Sequence, residues 1–393
     1  MTDVGNASHD DVRRYNLGRI LRYVHAHGPT SRSLLGTEMR LNRSTVADLV
    51  ASLAALGLVV EESGSGGAVG RPSLVVSPVP EAACVLAFRL GVTDLAGAIV
   101  GLGGRVLAER VVDGEIWTPE SAIATMAGLA RDLVDDLDGG VVIVGVGVSV
   151  PGAVDPDHRT IHRAPNLGWS NVSLAADLRI GLDEALGWMP DVLLGNDANL
   201  GALAERLRGA AVGAHDLLYV HGSVGIGTGV IVDGRLLTGA SGDAGEAGHM
   251  IVDPDGPLCT CGAQGCWETI VGRDALLTAA GRDSGVDAFD LLMADAAAGD
   301  EGALRVVADA GRWIRIGLRN LVALTNPEVV VVAGHVDRLL AALPPETTGL
   351  WSTVGVVPSV LGEAGPLIGA AELAFTELLS DPTGAGRVLD DED

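Results

Sequence analysis

Lysine is absent from this sequence of 393 residues, so arginine supplies all 26 basic side chains. Cysteine is also scarce, and four cysteines in a chain of this length exclude a disulfide-stapled secreted scaffold. The longest apolar run, VVIVGVGVSV at residues 141–150, is shorter than the roughly 18 residues that a membrane-spanning helix needs. The first residues, MTDVGNASHDD, contain no apolar signal segment. We therefore expect a cytoplasmic protein with no membrane partner.

Acidic residues outnumber basic ones, and the net charge of −25 argues against nucleic-acid binding by the chain as a whole. The charge is unevenly distributed, however. Residues 12–60 contain seven arginines against Glu38 and Asp48, which gives this segment a net charge of +5 and leaves −30 on the remainder. A small basic segment on a large acidic body is typical of a protein that binds DNA through one module.

The basic segment has the pattern of three short amphipathic helices. Gly28-Pro29 ends the first helix, and Ser31 and Asn42 are candidate N-caps of the second and third. The Gly-rich stretch SGSGGAVGRPS separates two strand-like runs, GLVVEE and LVVSP, as in a wing. The pattern predicts a winged helix-turn-helix DNA-binding domain over residues 1–78. Helix periodicity alone also allows another kind of small helical bundle. The apolar faces are formed by Leu17, Ile20, Leu21 and Val24, by Leu34, Leu35 and Met39, and by Val46, Leu49, Val50, Leu53 and Leu56.

Four polar residues of this domain are candidates for DNA contact. Arg43, Ser44 and Thr45 begin the third helix, where a recognition helix meets base edges, and Arg71 is at the wing tip, within reach of a minor groove or phosphate. Arg40 departs from the pattern, because the turn between the second and third helices often contains glycine in a left-handed conformation.

Beyond a short hinge at residues 78–80, strand-like runs alternate with helical segments, which predicts an α/β body of two lobes. We place a small lobe at 81–195 and a large lobe at 196–380, with a last helix able to pack back on the small lobe. The final residues, 381–393, have the composition of a disordered acidic tail.

Three of the four cysteines lie within eight residues, in CTCGAQGCWE. Cys259, Cys261 and Cys266 supply three potential thiolate ligands, and His249, ten residues before Cys259, is the candidate for a fourth. The alternatives are a disulfide or free thiols. The spacing favours a closed Cys3His site for a structural Zn²⁺, with no open position for catalysis. Cys84 lies in an apolar strand and is expected to be a buried small side chain.

The predicted metal loop has glycines and carboxylates at informative positions. Gly262 and Gly265 permit the tight turns that bring the three cysteines together. Glu246 precedes His249 by three residues and Glu268 follows Cys266 by two, so a metal would fix both carboxylates in place.

These motifs resemble those of the ROK family, which comprises repressors, open reading frames and sugar kinases. GEAGHM followed by CTCGAQGCWE is similar to the family's zinc signature. PNLGW resembles its sugar-binding loop, NDANLGALAE the segment with the kinases' catalytic aspartate, and NPEVVVVAG a nucleotide-side strand. The N-terminal module with GRPS resembles the regulator branch, such as xylose- and N-acetylglucosamine-responsive repressors. The resemblance covers nearly the whole chain and implies a winged helix-turn-helix attached to a two-lobed sugar-kinase-like body of the actin/hexokinase type.

The resemblance also implies roles for particular residues. Asp197 matches the kinases' general base, a vestigial one here unless kinase activity remains. The positions that match the family's phosphate loop are Gly225, Gly227, Thr228 and Gly229. The positions that match its sugar-hydroxyl ligands are Asn166, Asn196, Asp197, Glu246, His249 and Glu268.

The first phosphate motif departs from the kinase pattern. The kinases have Asp-x-Gly-Gly-Thr where this chain has RLGVTD, so Arg89 replaces the aspartate and Val92 the second glycine. An arginine has no acceptor atom with which to support a metal. We therefore expect no ATP or Mg²⁺ as cofactors and no ATP turnover, and we expect Arg89 to pair with Asp197.

The sequence predicts a sugar-responsive transcriptional regulator, expected to be a repressor. Its partners would be operator DNA, expected to be palindromic, and a sugar or sugar derivative, with the protein as a homodimer or a dimer of dimers. The alternative is an active ATP-dependent sugar kinase with an appended DNA-binding domain, favoured by Asp197 and opposed by Arg89. A third possibility is a sugar-binding protein whose N-terminal module contacts protein, which the local basic charge opposes.

Overall fold

The computed structural model describes residues 9–63, 74–114, 117–137, 141–188, 191–285, 287–343 and 354–384. The chain divides into two units that are discontinuous in sequence. The first unit comprises Met1–Ser149, Val172–Leu194 and Ala370–Asp393, and the second comprises Val150–Asn171 and Gly195–Gly369. No helix in the described ranges combines the length and the apolar character needed to cross a membrane.

The N-terminal part of the first unit contains three helices and a small antiparallel sheet. The strands have the order β1-β3-β2, so the strand between α1 and α2 completes the sheet of the predicted wing. The predicted apolar face of α1 is buried, and so is that of α3 except for the partly buried Leu56; these residues form the local core. Leu34, predicted to lie on the apolar face of α2, is exposed. The elements are α1 (His9–His27), β1 (Thr30–Ser31), α2 (Arg32–Met39), α3 (Arg43–Ala55), β2 (Val59–Ser63) and β3 (Leu74–Pro78). The wing tip with Arg71 lies outside the described residues. Of the predicted disordered tail at 381–393, residues 381–384 are described and include a 3-10 turn at Pro382–Gly384, and residues 385–393 lie outside the described ranges.

Side-chain caps begin α2 and α3 as the sequence predicts. Ser31 Oγ accepts the backbone N–H of Leu34 at 3.2 Å, and Asn42 Oδ1 accepts that of Thr45 at 2.9 Å. Arg40 ends α2 in the left-handed conformation, with φ 56° and ψ 43°. This conformation costs an L-residue with a β-carbon about 1 kcal/mol, so the chain accepts local strain where a glycine would fit.

The body of the first unit is a five-stranded sheet with the order β11-β7-β4-β5-β6. Its strands are β4 (Cys84–Leu90), β5 (Asp94–Gly101), β6 (Arg105–Asp113), β7 (Ile143–Val150) and β11 (Val192–Asn196). Strand β4 pairs parallel with β7 and antiparallel with β5, and it is buried almost throughout, as its continuous apolar run indicates. Besides α1, α2 and α3, the helices of the first unit are α4 (Pro119–Asp135), α5 (Leu174–Leu186) and α13 (Thr376–Ser380), and the second half of α12 (Gly365–Ala374) also belongs to it.

The second unit has its own five-stranded sheet with the order β14-β13-β12-β15-β16. Its strands are β12 (Leu217–Gly222), β13 (Ile226–Val232), β14 (Arg235–Leu236), β15 (Val329–Gly334) and β16 (Gly355–Pro358). Its helices are α6 (Asp197–Arg208), α7 (Glu268–Val271), α8 (Arg273–Ala279), α9 (Ala288–Ala297), α10 (Glu301–Thr325) and α11 (His335–Ala341). A smaller sheet is formed by β8 (Ala153–Val154), β9 (Ile161–Ala164) and β10 (Trp169–Val172). Trp267 is fully buried among apolar residues of the sheet and α10, and this core holds the segment that precedes α7.

Candidate functional site

The cysteine loop of the second unit brings four potential metal ligands together. Ligand atoms of His249, Cys259, Cys261 and Cys266 all lie within 4.8 Å of one another. The Sγ atoms of Cys261 and Cys266 are 3.5 Å apart, and Cys259 Sγ is 3.5 Å from His249 Nδ1. The four residues that the sequence predicts as ligands therefore form one cluster that could hold a metal ion.

The two glycines of the loop have the backbone conformations that the tight turns require. Gly262 has φ +90° and Gly265 has φ +77°, in the left-handed region that L side chains rarely adopt. A β-carbon at Gly265 would also collide with the carbonyl oxygen of Asp253. A backbone bridge between Ile251 and Cys266 closes the loop, so the cysteines converge because the backbone folds back on itself.

The three thiols differ in their environments. Burial raises the pKa of Cys266 to about 12 and also raises the pKa of Cys259. The backbone N–H of Ala263 lowers the pKa of Cys261, which is exposed. In the absence of a cation the two buried sulfurs are therefore protonated, and a metal ion that binds them as thiolates must displace those protons.

His249 faces two different sets of residues through its two ring nitrogens. Its Nδ1, on the cysteine side, is 3.2 Å from Glu268 Oε1, while its Nε2 is 3.9 Å from Glu246 Oε2. The hydrogen bond with Glu268 raises the pKa of His249 and lowers that of Glu268, whereas burial raises the pKa of Glu246. One imidazole could serve both of its predicted roles: a metal would replace the hydrogen bond between Nδ1 and Glu268, and Nε2 would face a ligand beside Glu246.

Arg163 is a neighbour of this cluster that the sequence did not indicate. Its positive charge acts to lower the pKa of Glu246, against the stronger effect of burial. Arg163 lies on β9, two residues before PNLGW. Arg163 is not part of any motif in the sequence, so its position near Glu246 could not be predicted from residue spacing. Only the fold brings its positive charge close to that carboxylate.

The predicted residues Asn196 and Asp197 are at the N-terminus of α6. Asn196 caps the helix, since its Oδ1 accepts the backbone N–H of Asn199 at 3.0 Å, and its Nδ2 donates to the carbonyl oxygen of Gly152 at 3.1 Å. Asp197 Oδ1 accepts the N–H of Ala198 at 2.8 Å. An amide and a carboxylate are residue types that can form hydrogen bonds with hydroxyl groups, so the predicted role of both residues in sugar binding stays a prediction.

The predicted phosphate loop lies at the start of β13, where its glycines lie close to neighbouring groups. A β-carbon at Gly225 would lie 2.7 Å from Glu268 Oε2, and one at Gly229 would lie 2.6 Å from the carbonyl oxygen of Ala198 in α6. A β-carbon at Gly227 would lie 2.9 Å from that of Ala198. Thr228 Oγ1 donates a hydrogen bond to the carbonyl oxygen of Gly245. These contacts account for the glycines without a phosphate, through packing rather than through turn geometry.

Three further residues singled out in the sequence, Asn166, Arg89 and Cys84, lie outside the motifs described above. Asn166 is exposed in the short 3-10 turn Pro165–Leu167, and its role in sugar binding stays a prediction. Arg89 forms a two-point ion pair with Asp94, and its predicted pairing with Asp197 stays a prediction. The antiparallel pairing of β4 with β5 explains the observed contact, because it returns Asp94 to the position beside Arg89. Cys84 is buried, as predicted.

The candidate DNA-contacting residues lie on the first turn of α3. Arg43 and Ser44 are exposed and Thr45 is partly exposed. Ser44 Oγ donates to Asn42 Oδ1 at 2.7 Å, so this hydroxyl supports the helix cap. Arg43 forms no ion pair with any residue that the structure describes, which leaves its guanidinium available.

Comparison with known proteins identifies the family. A family model described as the ROK family matches residues 85–377, well over half of the chain. The chain belongs to the ROK family. Among curated proteins, this ROK chain is 28% identical over 378 residues to the xylose repressor of Bacillus subtilis strain 168, a match that covers 94% of this chain and 97% of the repressor. It is also 28% identical over 355 residues to the DNA-binding transcriptional dual regulator NagC of Escherichia coli K12, covering 87% and 85% of the two chains.

Solved ROK structures share the fold. A ROK family transcriptional regulator, a homologue of the E. coli MLC protein, superposes with a TM-score of 0.77 at 24% identity, covering 96% of this chain and 99% of its own. A ROK glucokinase from Streptomyces griseus, solved with glucose and AMPPNP, has a TM-score of 0.62 at 28% identity. That match covers 99% of the glucokinase but only 74% of this chain. The part of this ROK chain that lies outside the kinase match is thus about a quarter of its length.

Proposed function

We propose that this ROK protein is a sugar-responsive transcriptional repressor. The proposal rests on the share of each chain that the matches to known proteins cover. The xylose repressor matches 94% of this chain and 97% of its own length, whereas the glucokinase matches nearly all of itself and 74% of this chain. The quarter of the chain that the kinase does not match is thus covered largely by the match to the repressor, which fits a module added to a kinase-like body.

Residues 1–78 form the winged helix-turn-helix domain in this proposal, followed by lobes at 81–195 and 196–380. Helix α3 enters the major groove with Arg43, Ser44 and Thr45 at its exposed first turn, and Arg71 contacts DNA from the wing. The net charge of −25 on the chain repels DNA elsewhere, so binding is oriented through the basic module and weakens strongly with salt. A homodimer or a dimer of dimers binds a palindromic operator.

The sugar or sugar derivative binds in the second unit beside the cysteine loop. Carboxylates and amides suit this ligand, because they form paired hydrogen bonds with vicinal hydroxyl groups. Glu246, His249 and Glu268 are already grouped within hydrogen-bonding range or just beyond it. Asn166, Asn196 and Asp197 complete the proposed ligand set.

The metal in the cysteine loop is Zn²⁺ in this proposal, and the donor set fits it. Tetrahedral zinc with ligand distances of about 2.0–2.3 Å separates neighbouring ligand atoms by roughly 3.3–3.8 Å. The separations of 3.5 Å between Cys261 and Cys266 and between Cys259 and His249 Nδ1 agree with this geometry. Four protein ligands leave no open position, so zinc supplies rigidity rather than an activated water. Ligation through Nδ1 leaves the hydrogen of His249 on Nε2, where it can donate to a sugar hydroxyl.

The second candidate function is an ATP-dependent sugar kinase, which the position of Asp197 at the start of α6 favours. A kinase needs a general base and an anionic group that supports Mg²⁺. Arg89, held by Asp94, occupies the position of the kinases' first phosphate-motif aspartate and provides a cation instead. Asp197 is then a sugar ligand and a vestigial base.

Fluorescence anisotropy with DNA from upstream of the protein's own gene tests the proposal. The titration is repeated with D-xylose, D-glucose, N-acetylglucosamine and their phosphates, and MgATP turnover is measured in parallel. We expect salt-sensitive DNA binding that one sugar releases, with no ATP turnover. Arg43→Ala should weaken DNA binding, whereas the control Arg305→Ala, at an exposed position of α10, should not. Sugar-dependent ATP turnover together with no binding to that DNA or to any duplex selected from a random library would overturn the repressor proposal in favour of the kinase.

A further inference from the structure

The three cysteines of the metal loop differ in their access to solvent. Cys259 is 4% exposed and Cys266 is fully buried, whereas Cys261 is exposed. Cys261 is followed by Gly262, where a β-carbon would meet no atom of the described residues within 4 Å. The turn around Cys261 is therefore open, and an oxidant in solution can reach this sulfur more readily than the other two.

Cys266 lies in position to form a disulfide with Cys261. Their Sγ atoms are 3.5 Å apart, and a disulfide bond of about 2.0 Å requires them to close by roughly 1.5 Å. The sulfur of Cys259 is instead directed to two other groups, since it lies 3.5 Å from His249 Nδ1 and 3.2 Å from Glu268 Oε1. The exposed sulfur thus has a buried sulfur beside it, as in cysteine pairs that respond to oxidants.

The loop allows Cys261 to make this movement while Cys266 stays in place. Cys266 precedes Trp267, which is fully buried in the core of the second unit. Cys261, by contrast, has exposed residues on both sides. An exposed part of a loop has few packing contacts that oppose its displacement. The sulfur of Cys261 can therefore approach that of Cys266 without displacing the core around Trp267.

The oxidation is a two-electron reaction in which hydrogen peroxide is the oxidant. The Cys261 thiolate attacks one peroxide oxygen, the O–O bond breaks, and a sulfenic acid and hydroxide are formed. The Cys266 sulfur then attacks the sulfur of Cys261, and its proton and the leaving hydroxide form water. In sum, two thiols and one hydrogen peroxide yield one disulfide and two molecules of water. A soluble dithiol reverses the reaction by thiol–disulfide exchange.

A disulfide between these cysteines would remove two of the four proposed zinc ligands. A disulfide sulfur is no longer a thiolate, which is the form of cysteine that binds zinc. Only Cys259 and His249 would remain, and a structural zinc takes four ligands. The metal in turn orients His249 and, through it, Glu268. Oxidation would therefore disturb two of the proposed sugar ligands.

We propose that Cys261 and Cys266 form an oxidation site that hydrogen peroxide converts into a disulfide, and that the disulfide releases the metal and weakens sugar binding. The disulfide rests on the exposure and separation of the two sulfurs. The release of the metal and the loss of sugar binding rest on the zinc site and the function proposed above. An oxidised repressor would then respond only to higher concentrations of sugar.

The mass of the denatured full-length protein after treatment with equimolar hydrogen peroxide tests the disulfide. We expect the loss of two hydrogen atoms, a peptide map that joins Cys261 to Cys266, and return to the starting mass in dithiothreitol. Cys84→Ala, which removes a buried thiol of β4, is the control and should react as the wild type does, whereas Cys261→Ser should not lose the two hydrogen atoms. An unchanged mass, a gain of oxygen atoms without a disulfide, or a disulfide to Cys259 would overturn the proposal.

The wild type provides the second measurement, so no variant that fails to fold can obscure it. Zinc is measured by atomic emission before and after oxidation, and the Kd for D-xylose, D-glucose and N-acetylglucosamine by calorimetry. We expect zinc to leave in step with disulfide formation and sugar binding to weaken at least about tenfold. Zinc that stays bound to the oxidised protein, or an unchanged sugar Kd, would overturn the link between oxidation and the sugar site.

The two proposals fail in different experiments. If the disulfide forms but the reduced protein binds none of the sugars and no DNA, the oxidation site stands and the repressor proposal fails. If the reduced protein binds sugar and DNA but no disulfide forms, the oxidation site fails and the repressor proposal stands.

Discussion

The buried histidine of the second unit should make folding stability depend on pH. His335 follows β15 directly, is 5% exposed, and its Nε2 donates to the carbonyl oxygen of Val271 at 2.8 Å. Burial lowers its pKa to about 4, and the charge of Arg273 acts in the same direction. The imidazole is thus neutral in the folded protein at pH values where the unfolded chain would take up a proton.

The sign and size of the effect follow from the two pKa values. His335 contributes no penalty above its unfolded pKa of 6.5, and stability is lost as the pH falls from there towards the folded pKa of about 4. The difference corresponds to a loss of about 3 kcal/mol across that window. Well above pH 6.5 neither the folded nor the unfolded state binds a proton at this position, so the contribution of His335 to the pH dependence vanishes there.

Urea unfolding of the wild type and of His335→Gln, followed by tryptophan fluorescence at pH 7.5 and 4.5, measures this contribution. Glutamine can donate to the Val271 carbonyl group but does not titrate, so the pH dependence of its unfolding free energy should be smaller by nearly the full amount. His9→Gln, at an exposed position of α1, is the control and should behave as the wild type does. A His335 imidazole proton signal that titrates near pH 6.5 by NMR would refute the reasoning.

Three further predictions concern the strained turn, the metal loop and the glycine-rich strand. Arg40→Gly should stabilise the N-terminal module by about 1 kcal/mol, because glycine adopts φ 56° without strain. Faster exchange of the amides of this module in the variant, measured by hydrogen exchange, would contradict this. Cys261→Ser should lose bound zinc by atomic emission and weaken sugar binding at least about tenfold, whereas the control Cys84→Ala should retain both. Gly229→Ala should destabilise the second unit by about 1–3 kcal/mol, because its β-carbon would lie 2.6 Å from the Ala198 carbonyl oxygen; unchanged stability in urea would show that α6 can move away.

Sequence patterns within short stretches of the chain were sufficient to predict the helices of the N-terminal module and the convergence of the cysteines in the metal loop. The spacing of apolar residues gave the buried faces of α1 and α3, and the caps at Ser31 and Asn42 are local by nature. The four metal ligands lie within 18 residues, from His249 to Cys266. Two glycines with positive φ close the cysteine loop, so its convergence could be predicted from residue type alone.

Contacts between distant residues could not be predicted in the same way. Arg89 has Asp94 as its partner because β4 and β5 pair antiparallel, and the sequence pattern did not indicate this contact. The glycines of β13 resemble a phosphate loop, but α6 approaches Gly227 and Gly229 so closely that a β-carbon at either position would collide with it. A glycine-rich pattern indicates that side chains are disfavoured at these positions. Only the fold shows whether a ligand or a neighbouring part of the chain occupies the space.

The sequence by itself determined the class of the protein: a basic three-helix module, an α/β body and a Cys3His loop, each specified by composition, periodicity or spacing over a few tens of residues. Only the tertiary structure decided that residues 150–171 join the second unit and that residues 370–384 return to the first. It also decided that His25 meets Glu372, 347 residues away. Such pairings depend on the register and direction of packed strands and helices. They therefore cannot be predicted from the types of the two residues that meet.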